Sequence, residues 1–333
     1  MREQENKIHH LNFLDNGLPD KCANLIIADP PYFQIKGAFD FIWEDLNAYL
    51  KDVYKWAAEC KRLLADNGTL FWYGHAKNIA YQQVILDDQF NLLNSLVWEK
   101  TQCQTLRSEI AALRRFAPVT ERILMYGNGR DISGLEMIRE DPELFLPVKR
   151  YFDDWLGLSG LSMAAAVKGI GSSCTHWFGY TTRNKKQFSF PSFEKWERMD
   201  ELFPHFKGYD DLRKIYDDLR VKYEIKRQQC EHLRRPFNLT AMTTDVLKYS
   251  QESHITKKYN HDTKKPEGLT TKLITTCSRK GDLVVVPFAG SGTECAMASK
   301  EGRRFVGYEI DAKHVKTSTD RCHPHLSQPG LFT

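Results

Sequence analysis

Asp29-Pro30-Pro31-Tyr32 follows directly on the apolar run Asn-Leu-Ile-Ile-Ala at 24–28. A carboxylate, a stiff turn and an aromatic ring in that order make a compact acceptor site. The carboxylate accepts hydrogen bonds, the proline rings fix the backbone and so the direction of its carbonyls, and the tyrosine offers a face to a flat ligand. Far downstream, Phe288-Ala-Gly290-Ser-Gly292-Thr293 follows a second apolar run, Asp-Leu-Val-Val-Val at 282–286. Gly290 and Gly292 let the backbone turn tightly and approach a ligand with no Cβ in the way. Glu309 closes the next apolar segment, where an acidic side chain accepts hydrogen bonds from the two ribose hydroxyls of a nucleotide-like cofactor. Each motif has a plainer reading: Asp29 as a helix cap, the prolines as an ordinary turn, the glycines as a strand-to-helix corner. A dinucleotide fingerprint would need a third glycine where Cys295 stands. Two such loops, each after a buried strand, favour a joint site.

The surrounding pattern supplies the elements. Short continuous apolar runs read as buried strands: 24–28, 69–74, 92–98, 121–127, 282–286 and the segment ending at Glu309. Leu50, Val53, Tyr54, Ala57 and Leu64 have helical spacing over 47–65, with Gly68 read as a left-handed cap. Pro266 opens a second helix with Leu269, Leu273 and Ile274 on one face. Alternating β and α elements predict an α/β doubly wound, Rossmann-like sheet with helices on both faces. In such sheets ligands bind beyond the carboxyl ends of the strands, where both loops fall.

The middle of the chain breaks that rhythm, so we expect residues 1–128 and 256–333 to be two halves of one domain, and 129–255 a mainly helical insertion. Residues 161–186 read as an Ala-rich helix, a turn at Gly169–Gly171 and a second helix, with Ala165 and Gly169 at helix-turn-helix spacing. Ser172, Ser173, Thr175, His176 and Arg183 then reach base edges or phosphates, and Lys185 and Lys186 the DNA backbone. A helical hairpin with a solvated basic end is the equal alternative. Leu212, Ile215, Leu219 and Tyr223 form a stripe on a helix running to about Arg235. That stripe serves packing within the insertion, a clamp on DNA or a homodimer, packing being favoured.

Composition narrows the class without naming it. Of 333 residues 41% are apolar, ordinary for a globular protein, and the net charge of +4 permits nucleic acid without demanding it. The polar N-terminus lacks a signal-peptide core, and no apolar run approaches the ~20 residues of a membrane span. The eight cysteines are scattered with no CxxC pair, which fits free thiols in a reducing cytoplasm. Arg-Cys-His-Pro-His at 321–325 reads as a polar tail rather than a metal site, and no metal is expected.

Ala-Asp29-Pro30-Pro31-Tyr32 ahead of Phe288-Ala-Gly290-Ser-Gly292-Thr293 resembles the amino-methyltransferases of DNA, in the order of their beta group. The similarity covers nearly the whole chain, including His-Asp-Thr263-Lys-Lys265-Pro at 261–266 and the segment ending at Glu309. It implies S-adenosylmethionine as cofactor, held by Asp29, Thr263, Lys265, Phe288, Gly290, Gly292, Thr293 and Glu309. It implies double-stranded DNA as substrate and a flipped adenine as target. Asp29 and the Pro30 carbonyl would accept the two amine hydrogens, Pro31 would stiffen the turn, and Tyr32 would stack on the base. Phe33 walls the pocket or belongs to the core. The family usually has Asp-Pro-Phe before the glycines, whereas this chain has Val286-Pro287-Phe288. Its early acidic residue matches either Asn12 or Asp15. A cytosine N4-methyltransferase is the nearest rival, although members of that kind more often carry serine at the place of Asp29. An RNA or protein amide methyltransferase has less use for so large an insertion, and a catalytically silent DNA-binding regulator is the rival from another class. The resemblance also implies a prokaryotic or phage-encoded cytoplasmic enzyme, and from the length we expect any restriction endonuclease to be a separate chain.

Overall fold

A computed structural model describes residues 3–35, 38–101, 114, 116, 118–128, 146–171, 190–239, 241–250 and 264–326. It divides into two units, residues 1–131 with 235–333 and residues 132–234.

Among the described residues the larger unit has eight strands: β1 (Lys7–His10), β2 (Ala23–Ala28), β3 (Leu64–Gly74), β4 (Asn91–Lys100), β5 (Thr120–Gly127), β6 (Val246–Tyr249), β7 (Leu283–Val286) and β8 (Arg304–Glu309). Their order across the sheet is β1-β8-β7-β2-β3-β5-β4-β6. All neighbours pair in parallel except around β5, which runs antiparallel to both β3 and β4. The strands carrying the two loops, β2 and β7, lie side by side, Leu25 opposite Val284 and Ile26 opposite Val285.

Side-chain alternation explains why the sheet is covered twice. In β2, Ile26 and Ala28 enter one core while Leu25 and Ile27 enter the other, and β3 repeats this with Leu70 and Trp72 against Phe71 and Tyr73. Buried parallel strands read as unbroken apolar runs for this reason. Helix α1 (Leu46–Leu63) covers the first face with Tyr49, Val53, Trp56, Ala57 and Cys60. The Asp45 carboxylate starts it by accepting from the Ala48 N–H at 2.7 Å. A shorter helix, α2 (Ile79–Asp87), follows β3. Helices α7 (Glu267–Cys277) and α8 (Thr293–Lys300) cover the second face with Leu269, Leu273, Ile274, Cys295 and Met297. The last helix, α9, spans Ala312–Leu326.

The smaller unit holds α3 (Leu146–Ser159), α4 (Met163–Ile170), α5 (Phe193–Leu202) and α6 (Tyr209–Cys230). Its core is aromatic, with Phe152, Trp155 and Trp196 joined by Leu212 and Tyr216 from α6. Ile215 and Leu219 pack against the same core, so the α6 stripe serves internal packing.

Four local expectations change. Gly68 is not a cap: α1 ends at Leu63, Leu64 is already extended, and Gly68 lies within β3. A Cβ there would stand 2.6 Å from Leu64 Cδ1, so close approach explains the glycine. Gly169 lies inside α4, where a Cβ would meet Leu202 Cδ1 at 2.6 Å, and the left-handed residue ending the helix is Gly171, φ 74°. Residues 321–325 are no tail, since they belong to α9 with Arg321 and Cys322 buried. Finally, α6 gives way to a 3₁₀ turn at Glu231–Leu233 rather than running on to Arg235.

Candidate active site

Both loops open onto one cavity of about 750 Å³ in the larger unit, within the usual range for small-molecule sites. Asp29, Pro30, Pro31 and Tyr32 line it from the end of β2, and Phe288 and Gly290 from the end of β7. Glu309 joins them from the end of β8, and Lys265 from just before α7. The parallel pairing of β2 with β7 and of β7 with β8 places these ends together.

The Asp29-Pro-Pro-Tyr32 turn is held from several sides. Asp40 accepts the Tyr32 backbone N–H at 2.5 Å, and the Tyr49 hydroxyl donates to the Pro31 carbonyl at 3.0 Å. Asn78 donates to the Phe33 carbonyl at 2.7 Å. Pro30 and Pro31 both line the cavity, and the Tyr49 bond fixes the direction of the turn between them. Phe33 itself is core, stacked on Tyr49.

Asp29 does not stand alone. Its Oδ1 accepts the Tyr32 hydroxyl at 2.7 Å and its Oδ2 meets the Lys265 ammonium at 2.8 Å. Lys265 also donates to the Tyr32 hydroxyl oxygen at 3.2 Å and lies 3.5 Å from Glu121 Oε2. Glu121 Oε1 in turn meets Lys100 at 2.6 Å. Ammonium and carboxylate thus alternate from Lys100 through Glu121 and Lys265 to Asp29, none with more than 20% of its side chain exposed. Burial pushes the Asp29 carboxyl above its ordinary range, opposed by Lys265 and then by the Tyr32 hydroxyl. Burial works against the Lys265 charge, but Asp29 and Glu121 outweigh it and raise that pKa. Despite its own burial, Glu121 is held below the carboxylate norm by Lys265 and Lys100. The site therefore holds carboxylate acceptors in a dry setting, each facing a buried ammonium, where hydrogen bonds to charge are strong.

The second loop is shaped by its glycines. Gly290 and Gly292 have φ of 48° and 73°. Glu309 Oε2 accepts the Gly290 N–H at 2.8 Å, and Oε1 accepts that of Asp311 at 2.9 Å. A carboxylate has about four acceptor sites, so two remain for ligand hydroxyls. Phe288 packs edge-on against Trp56, 5.0 Å between ring centroids, an apolar wall for a flat ring.

Gly292 and Thr293 sit behind the cavity rather than on it. A Cβ on Gly292 would lie 2.6 Å from Ser318 Cβ, and the Thr293 hydroxyl accepts from Arg321 Nη1 at 2.6 Å. Arg321, buried, also reaches Ser291 Oγ at 3.3 Å and Glu267 at 2.7 Å, tying the loop to α7 and α9. Val286 is wholly buried in β7 opposite Gly307 of β8, a core position. Of the two alternatives for the early acidic residue, Asn12 lines the cavity and Asp15 does not. Thr263, Ser172, Ser173, Thr175, His176, Arg183, Lys185 and Lys186 lie outside the described residues. Among the described residues no cluster of three or more His, Cys, Asp or Glu could hold a metal ion, and no helix is long and apolar enough to cross a membrane.

Sequence reasoning missed Lys100, Glu121, Arg321 and Glu294. The first two carry one signal, the charges closing β4 and opening β5, visible only once those strands are known to pair. Glu294 is 5% exposed in the first turn of α8, and its Oε1 has no hydrogen-bond partner among the described residues. Burial, then the Asp29 charge, pushes its carboxyl up to about 7.

A doubly wound sheet with an acceptor turn after one strand and a glycine turn after its neighbour has the form of an enzyme site for a nucleotide-like cofactor. The sequence model of the DNA methylase family matches residues 23–320, and the chain belongs to that family. It is 23% identical over 308 residues to the DNA adenine methyltransferase YhdJ of Escherichia coli, covering 91% of this chain and 77% of that protein. To the type II methyltransferase M2.MboI of Moraxella bovis it is 22% identical, covering 91% and 82%. Among solved structures, the fold resembles the cytosine-N4-specific PvuII DNA methyltransferase, with TM-score 0.53, 13% identity and coverage of 94% and 85%. It also resembles M1.HpyAVI in complex with SAM, with TM-score 0.50, 16% identity and coverage of 95% and 98%.

Proposed function

We propose that this chain is a DNA adenine N6-methyltransferase that uses S-adenosylmethionine. The observation that carries the reading is the opening of the Asp29 turn and the Gly290–Glu309 cradle onto one cavity. The cradle suits the cofactor on this structure's own terms. Glu309 keeps acceptor capacity for two ribose hydroxyls, the positive φ of Gly290 lets the backbone come close, and Phe288 with Trp56 supplies an apolar wall. When bound, the cofactor supplies an electrophilic sulfonium methyl.

The residues' own work is positioning. Adenine's exocyclic amine is conjugated with its ring and is a poor nucleophile. Asp29 accepts one of its N–H groups and the Pro30 carbonyl the other, drawing the nitrogen lone pair out of the ring plane. Tyr49, Asp40 and Asn78 fix the turn in advance, so little reorganisation is needed. The amine is out of reach inside a duplex, so the substrate base is flipped from double-stranded DNA. Lys265 stabilises the Asp29 charge in its dry surroundings.

In the same reading, the insertion, expected over 129–255 but with 235–255 and β6 belonging to the larger unit, carries the choice of DNA, with Ser172, Ser173, Thr175, His176, Arg183, Lys185 and Lys186 at base edges and phosphates. The enzyme acts in the cytoplasm, where the DNA is, and a restriction endonuclease is a candidate partner. Neither it nor a homodimer is required by the chemistry. Digestion of host DNA to nucleosides after expression, followed by mass spectrometry, tests the function. N6-methyladenine is expected, and N4-methylcytosine as the main product would overturn the assignment of the base. Arg183→Ala tests the insertion, with relaxed choice at one base or a weaker salt dependence expected.

A further inference from the structure

Lys265 engages the group that the substrate needs. Its ammonium holds Asp29 Oδ2 at 2.8 Å and reaches the Tyr32 hydroxyl oxygen at 3.2 Å, while that hydroxyl donates to Asp29 Oδ1. An amine arriving at Asp29 therefore competes with a buried cation for the same carboxylate. Expelling Lys265 to water is not open to it, because its side chain is only 4% exposed. A buried ammonium that loses one acceptor must find another close by.

One acceptor is in place and only loosely engaged. Glu121 Oε2 is buried with no hydrogen-bond partner among the described residues, and it lies 3.5 Å from Lys265 Nζ. That is within ion-pair range but longer than a good hydrogen bond. The other oxygen of the same carboxylate is anchored by Lys100 at 2.6 Å, which holds Oε2 where it is. A buried carboxylate oxygen without a hydrogen bond is costly, so its persistence asks for a second state in which it is satisfied. A displacement of well under one side-chain length closes the gap.

We infer that Glu121 is a positioning residue that receives the Lys265 ammonium from Asp29 when the target amine binds, freeing the Asp29 oxygen while keeping the buried charges paired. Hydrogen bonds are exchanged and no proton moves. In the resting arrangement Lys265 satisfies Asp29; in the working one the amine does, and Lys265 bonds Glu121 Oε2. Lys100 is the fixed end of the chain. This rests on the methyltransferase reading of the site.

The test uses the full-length protein, S-adenosylmethionine with a labelled methyl, and DNA from a host lacking methylation. Glu121→Gln removes the charge that receives Lys265, and Glu121→Asp keeps the charge but draws the oxygen back. Both should lower kcat at saturating DNA by about ten-fold or more, with cofactor affinity by calorimetry within about three-fold. In a Lys265→Met background, Glu121→Gln should change kcat by less than about two-fold, because a residue that acts through another has nothing left to act on. A merely structural role would instead multiply the two losses. Multiplied losses overturn the handover, as does unchanged kcat in folded Glu121→Asp. A wild-type protein that methylates no base would overturn the parent reading and this one with it. A methylating wild type with indifferent Glu121 variants overturns only the handover.

Discussion

Replacing Glu294 by glutamine should make the protein more stable at pH 8. The side chain is 5% exposed, its Oε1 has no hydrogen-bond partner among the described residues, and its carboxyl is pushed up to about 7 from an ordinary 4.5. At 1.36 kcal/mol per pH unit that difference corresponds to at most about 3 kcal/mol of native-state penalty when the group is fully ionised. Relaxation around the charge brings the expected gain to about 1–3 kcal/mol. The sign follows from a raised folded pKa. Below the unfolded value near 4.5 both states carry the proton and the penalty is absent. It enters as pH rises toward about 7 and is complete above it. Glutamine mimics the protonated acid in shape, so the stabilisation should be full at pH 8 and fall to about 1 kcal/mol or less at pH 5. Urea unfolding of both proteins at the two pH values measures this, with unchanged m-values as the control. An equal gain at both pH values, or a loss at pH 8, would refute the reasoning.

Three further outcomes follow from the site. Asp29→Ala should reduce methyl transfer at least about a hundred-fold and also destabilise by about 1–3 kcal/mol, since it leaves the buried Lys265 with only the Tyr32 hydroxyl and the more distant Glu121, and leaves that hydroxyl without its acceptor; turnover and urea unfolding read the two effects separately. Glu309→Ala should weaken S-adenosylmethionine binding by about 1.5–3 kcal/mol for each ribose hydrogen bond it removes, with DNA affinity unchanged, as calorimetry and filter binding would show. Gly292→Ala combines φ of 73° with a Cβ 2.8 Å from Ser318 Cα, so a loss of more than about 1 kcal/mol in stability is expected by the same unfolding assay.

The strands were legible because burial on both faces leaves an unbroken apolar run, and Leu25 and Ile26 of β2 show it plainly. Strand β1, Lys-Ile-His-His with no buried residue, was not, and neither was β6, because Val-Leu-Lys-Tyr is four residues with only Leu247 buried. It lies at the far edge of the sheet, within the stretch read as insertion. At the site, Asp29 and Glu309 could be read because each ends a strand and faces a neighbouring loop. The chain from Lys100 through Glu121 to Lys265 could not, because its members meet only after β4 and β5 have paired. Glycine misled twice, at Gly68 and Gly169, where its smallness rather than its freedom at positive φ is used. Local spacing does not separate those two uses.

The sheet order also fixes when the enzyme can exist during its own synthesis. β2 pairs with β7, and β1 with β8, so the first strands to leave the ribosome have neighbours among the last. One edge of β2 stays unpaired until β7 is made, and the whole of β1 until β8 is, so the cofactor cradle is incomplete until the chain reaches Glu309. Closing so long a loop costs entropy that only the late strands repay. Catalysis should therefore switch on abruptly with completion of the C-terminal strands, and a nascent chain halted before Leu283 should neither bind S-adenosylmethionine nor resist protease around Asp29. Pulse-labelled, stalled chains would show it: protection near Asp29 in chains lacking β7 would mean that the first half folds unaided.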